Sequence, residues 1–169
     1  ATSESSSEDT QQTTSESETA TEPEPSEPEV DPLPPVEVPP SAAERCLDGV
    51  LDAAQTSCYR AVTIPATWDN ARIDCNNWGG RLVQVDSGAE DLLVGELVTV
   101  NQWLGASDTV IDNVYVWTDG SPILFGNWGL SQPDRFPGAD CIEKRETPGR
   151  QWFDQPCYNV RAYVCEKGL

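Results

Sequence analysis

Six cysteines, at positions 46, 58, 75, 141, 157 and 165, constrain what this chain can fold into more than any other feature. None belongs to a Cys-x-x-Cys pair and the chain contains no histidine, which removes the usual zinc arrangements. An even set at wide spacing in a short acidic chain reads as three disulfides, and therefore as a protein matured in an oxidising, extracellular or cell-surface setting. The cysteines alone leave their connectivity open.

All six lie after residue 45, so the first part of the chain must be something else. Residues 1–40 carry eleven Asp and Glu and no Lys or Arg; of the net charge of −19, −11 lies here and −8 remains for residues 41–169. From Ala1 to Thr21 twelve positions are Ser or Thr, and from Pro23 to Pro40 the pattern changes to Glu-Pro repeats and PLPPVEVPP. Such a stretch buries too little apolar surface to offset its backbone entropy, and its proline half favours extended polyproline II. Residues 1–43 are expected to be a disordered acidic stalk and residues 44–169 the globular domain. The stalk hydroxyls are candidates for O-glycosylation, whereas no Asn-x-Ser/Thr sequon exists for N-linked sugar. A start at Ala1 reads as a processed or trimmed chain. Nothing basic is concentrated enough to neutralise a phosphate backbone, which argues against nucleic acid, and no apolar run is long enough to insert in a membrane.

Local signals divide the globular part. Cys46 and Cys58 flank the turn signal Asp48-Gly49, which suits two short strands. Thr67 is a candidate N-cap for a helix that repeats Ala71, Cys75 and Trp78 on one face and stops at Gly79-Gly80. RLVQV follows as a strand. Ser87-Gly88-Ala89-Glu90 is a capping-box pattern, opening a second helix with Leu93, Leu97 and Val100 on its stripe. Gly95 inside that helix costs about 1 kcal/mol relative to Ala. QWLGASD and VYVWTDG then read as strands. Two early helices followed by short strands and long loops make an α+β chain.

The stretch from Trp117 to Cys157 is rich in aromatic anchors, Gly, Pro and turn-forming residues, as a disulfide-clamped ligand-presenting region is. Together with TWDNARIDCNNWGGRLV, QWLGA, VWTDGSPILFGNW, QPD, ADC, QWFDQPC and YVCEK, it resembles a long-form C-type lectin-like domain spanning residues 46–167. The resemblance implies a C-type lectin-like fold: two helices, short antiparallel strands, a long loop region and three disulfides. It also implies pairing of Cys46 with Cys58, Cys75 with Cys165, and Cys141 with Cys157. The last would clamp fifteen intervening residues, worth about 3 kcal/mol by chain entropy.

In lectins of this family a calcium ion sits in the long loop and sugar hydroxyls complete its shell. The resemblance places metal ligands at Gln132, Asp134 and Asp154, with a cis proline at Pro133 turning the first two side chains inward. Gln132-Pro133-Asp134 is the form that goes with galactose-type preference. The family's asparagine beside Asp154 is here Phe153, and its glutamate before the Asp-Cys pair is Ala139. The loop is one residue shorter than the commonest form, which makes Asp140 a candidate for that place. Asp108 and Asp112 match an accessory calcium site, but Arg135 falls where that site wants another oxygen. Two other readings stand beside these: the tryptophans as core, and Asp134, Asp140 and Asp154 as acceptors for loop amides.

Absent histidine, free thiols and a phosphate loop, the residues argue against an enzyme. Two binding functions remain. The first expectation is carbohydrate recognition of a glycan through Gln132, Asp134 and Asp154, at a degenerate, weak calcium site. The other is calcium-independent recognition of a cell-surface protein, an adhesion role, through apolar Phe136 and Phe153.

Overall fold

The computed structural model describes residues 39–169; the expectations of a stalk and of its O-glycosylation fall on residues outside them, apart from the last few residues before the domain. A short helix α1 (Ala42–Arg45), capped by Ser41, leads into β1 (Val50–Leu51) and β2 (Ser57–Ala66). Then come α2 (Trp68–Asn77), β3 (Arg81–Leu82), α3 (Gly88–Leu97), β4 (Gln102–Ser107) and β5 (Val116–Trp117). The chain closes with β6 (Cys141–Lys144), β7 (Trp152–Gln155) and β8 (Arg161–Gly168).

One sheet runs in the order β1-β2-β8-β4-β6-β7, with β3 paired to β8 and β5 to β4. Every pairing is antiparallel except β4 with β8, so the expected antiparallel set is in fact a mixed sheet. The three disulfides join Cys46 to Cys58, Cys75 to Cys165 and Cys141 to Cys157, the pairing that the resemblance implied. Cys75–Cys165 fastens α2 to β8, while Cys141–Cys157 clasps the start of β6 to the chain leaving β7.

Both longer helices begin where the sequence places them. Thr67 accepts the N–H of Asn70, and α2 buries Trp68, Ala71 and Cys75. Ser87 Oγ accepts the N–H of Glu90, but the Glu90 carboxylate reaches the amide of Asp86 (2.8 Å) rather than closing a reciprocal box. Its other oxygen takes the Tyr59 hydroxyl at 2.6 Å. The stripe on α3 differs from the expected one. The helix ends at Leu97, Val100 lies beyond it and is exposed, and the buried positions are Val94 and Val98, with Leu93 and Leu97 packed at the edge.

A Cβ at Gly95 would lie 2.8 Å from Arg150 Cδ and 3.0 Å from Lys144 Cε, so those side chains would have to shift to admit one. Lys144 is 1% exposed and reaches Asp91 of α3 at 2.6 Å. Asp91 also receives Trp152 Nε1 and Asn127 Nδ2, each at 2.8 Å, and Lys144 Nζ donates to Arg150 O at 2.8 Å. This buried ion pair carries hydrogen bonds from every side, as a charge removed from water requires. It ties α3 to β6, β7 and the long loop. Burial pulls the Lys144 ammonium below its ordinary value, with Asp91 opposing that shift.

The aromatic residues form the core beneath the loop. Trp152 meets Trp117, Phe125 and Trp128 edge-on at centroid distances of 6.0, 5.7 and 5.8 Å, and Trp128 meets Tyr115 at 5.7 Å. Trp117 and Trp152 are fully buried, which gives them to the core rather than to a sugar-stacking surface.

Candidate functional site

The long loop between β5 and β6 folds back on β7, and Asp154 is the point at which it is held. Asp154 follows the inward alternation of β7, is 1% exposed, and therefore points its carboxylate under the loop. There it accepts the N–H of Asp134 (3.1 Å) on Oδ1 and the N–H of Arg135 (2.8 Å) on Oδ2. The Tyr115 hydroxyl lies 3.3 Å from the same Oδ2 and 2.9 Å from Ala139 O, between the two acceptors. Burial, with the Asp154 carboxylate adding to it, pushes the Tyr115 phenol well above its ordinary range, so it stays a donor.

The Gln132–Pro133 peptide is cis. Gln132 Oε1 accepts the Asp154 N–H at 3.1 Å, and Gln132 Nε2 donates to Asp134 Oδ2 at 3.2 Å. Asp134 Oδ1 accepts the Phe136 N–H at 3.0 Å. Gln132, Asp134 and Asp154 are thus brought together in a ring whose oxygens are already taken by loop donors. Asp140 does not join that ring through any hydrogen bond. Its carbonyl accepts the Asp108 N–H at 3.0 Å, and its carboxylate faces Asp108 closely enough to perturb it. Burial, with Asp140 and Asp112 adding to it and the Asn113 amide opposing, raises the Asp108 carboxyl; its Oδ1 has no partner among the described residues.

Calcium asks for six to eight oxygens at about 2.3–2.6 Å. Asp154 gives both oxygens to N–H groups, Gln132 and Asp134 are hydrogen-bonded to each other and to the loop, and Ala139 and Phe153 bring no side-chain oxygen. Among the described residues no three Asp, Glu, His or Cys side chains converge as metal ligands. As placed, neither the triplet nor the accessory position fits a calcium shell.

The two phenylalanines part company. Phe136 is 70% exposed at the loop tip. Phe153 is half-buried; a Cβ on Gly129 would collide with its ring, and the Arg145 guanidinium stacks 3.8 Å from its centroid. More apolar surface comes from the loop after β4: Val110 and Ile111, which sequence reasoning passed over, and Val114, expected to open a strand that in fact covers only Val116–Trp117, are exposed. The Asp108–Asp140 and Tyr115–Ala139 hydrogen bonds stitch this segment to the base of the Phe136 loop. Their signal was present as apolar residues in a loop, where burial in a core does not account for them. Tyr115 was missed as the organiser of Asp154 because the two are 39 positions apart.

A mixed sheet with two flanking helices, three such disulfides and a long loop between β5 and β6 define the C-type lectin-like class of fold. The family model for the Lectin C-type domain matches residues 64–167. The chain is 34% identical to rat versican core protein over 116 residues, which is 68% of this chain and 4% of that protein. A calcium-independent type II antifreeze protein superposes with a TM-score of 0.68 at 27% identity, covering 72% of this chain and 92% of that one. The carbohydrate-recognition domain of mouse scavenger receptor C-type lectin gives 0.63 at 27% identity, over 67% and 91%. The chain belongs to the C-type lectin domain family, whose members are ligand-recognition modules.

Proposed function

We propose that this chain is an extracellular recognition domain that binds a protein ligand through its long-loop face without calcium. The observation that carries the reading is the Asp154 hub: the loop is closed by the Asp134 and Arg135 amides and the Tyr115 hydroxyl, the task a metal performs elsewhere in the family. Exposed Phe136, Val110, Ile111 and Val114 supply apolar contact on segments that the same hub holds. Burying such side chains against a partner contributes roughly 25 cal/mol per Å². The extracellular assignment rests on the three disulfides, which persist in oxidising compartments.

A second reading keeps a specific support of its own. The Gln132-Pro133-Asp134 triplet is retained, and a calcium ion that displaced the Phe136 and Asp154 amides would give weak carbohydrate binding.

The deciding experiment displays the full chain against a glycan array and a panel of extracellular protein domains, in calcium and in chelator. Chelator-resistant capture of a protein, lost in Phe136→Ser and Ile111→Ser but kept in Asp134→Asn, supports the first reading. Glycan capture abolished by chelator and by Asp134→Asn replaces it with the second.

A further inference from the structure

A cleft of about 540 Å³ opens between the β1–β2 hairpin and the start of α3, and its lining shares no residue with the long loop. That volume lies within the range of small-ligand sites. Leu51, Ala89 and Leu93 give it apolar walls. Asp52, Asp86, Glu90 and Glu166 line it as well, and no Lys or Arg does.

Three of these carboxylates are already in use. Asp52 accepts the amides of Thr56 (2.7 Å) and Ser57 (2.9 Å). Asp86 takes Gln84 Nε2 at 3.2 Å, and Glu90 takes the Tyr59 hydroxyl and the Asp86 amide. Glu166 is different. It is 6% exposed, and only its Oε2 is engaged, by the Gln84 amide at 3.3 Å and Arg81 Nε at 3.4 Å. Its Oε1 receives no hydrogen bond from any described residue and keeps enough exposure to be reached from the cleft, while Arg81 is the counter-charge on Oε2. Burial raises the Glu166 carboxyl, Arg81 opposes, and the nearby Glu90 adds to the rise.

We propose that this cleft binds an ammonium or guanidinium group on an aliphatic stem, with the cation donating to Glu166 Oε1 and the stem lying against Leu51, Ala89 and Leu93. Anions are excluded by the lining. A divalent metal is disfavoured because no three carboxylates converge here, whereas an organic cation brings several N–H donors of its own and needs only one free acceptor. The proposal does not depend on the long-loop reading.

The test is an NMR titration of the ¹⁵N-labelled full chain at near-physiological salt. The probes are cadaverine and N-acetyl-arginine amide, with 1-pentanol and N-acetyl-glutamine amide as neutral controls. Saturable shifts confined to residues of the β1–β2 hairpin, the start of α3 and Glu166 are expected with the cations alone. Affinity should fall about tenfold in Glu166→Gln. Ala89→Arg, which places a tethered cation on an exposed wall position, should abolish binding while leaving the rest of the spectrum in place. Tighter binding of the arginine amide assigns the site to a protein side chain, and tighter binding of cadaverine to a free amine; either order upholds it. Shifts that do not saturate, that spread over the acidic surface, or that persist unchanged in both variants overturn it.

Discussion

The carboxylate of Asp154 accepts the backbone N–H of Arg135 at 2.8 Å, so a side chain on β7 fixes the course of a loop nineteen positions earlier. With the Asp134 amide on the other oxygen, a buried strand residue carries the geometry of the whole triplet. Asp154→Asn removes one acceptor and turns an N–H toward an N–H. It should cost about 2–3 kcal/mol in urea unfolding, equally in calcium and in chelator. Tyr115→Phe, which removes only the hydroxyl, should cost about 1 kcal/mol.

The Asp91–Lys144 pair sets a second prediction. Asp91→Asn leaves a buried ammonium without its counter-charge and should destabilise by about 3–5 kcal/mol, whereas Asp91→Asn combined with Lys144→Met should recover part of that loss. A double-mutant cycle by thermal unfolding measures the coupling. Additive losses would mean that the pair does not act as a unit.

How much of this was legible beforehand depends on the range of the signal. The helix starts at Thr67 and Ser87, the strand around Trp103 and the helix stop at Gly79-Gly80 are local, written in capping hydroxyls and apolar spacing. The disulfide pairing and the meeting of Gln132, Asp134 and Asp154 came from the family resemblance, not from spacing. What stayed hidden is long-range polar pairing. Nothing near Asp91 announces Lys144, and nothing near Glu143 announces that Arg161, beyond its near neighbour Arg145, meets its buried carboxylate. Val100 misled because its spacing suits a helix that the chain has already left by Val98. Phe153 misled because an apolar residue beside a candidate metal ligand has two destinations, and the absence of a side chain at Gly129 opens the inward one.

Asp108 gives a pH dependence with a definite sign. Its folded carboxyl titrates above the ordinary 3.8, so the native state holds its proton more tightly than the unfolded chain does. That contribution is fully present below the unfolded value and is lost as pH rises through the raised one. The stability of the wild type relative to Asp108→Asn should therefore fall as pH is raised across the carboxyl range, measured by urea unfolding at several pH values. A constant difference would show that Asp108 is not perturbed.

Removing Cys75–Cys165 by Cys75→Ala with Cys165→Ala opens a closure spanning 90 positions and should cost about 4–5 kcal/mol. The loss should appear as a lowered unfolding midpoint. Because Cys141–Cys157 lies between β6 and the chain after β7, the long-loop hydrogen bonds should survive in the molecules that remain folded.

The most direct test of a loop closed without metal is a calcium titration of the full chain by calorimetry, with thermal melts in millimolar calcium and in chelator. Loop closure by Asp154 gives no saturable heat and one melting temperature in both conditions. A melting temperature that rises with calcium, and no longer does so in Asp134→Asn, would show that the triplet is a working metal site and that calcium, not the Asp154 hydrogen bonds, completes the loop.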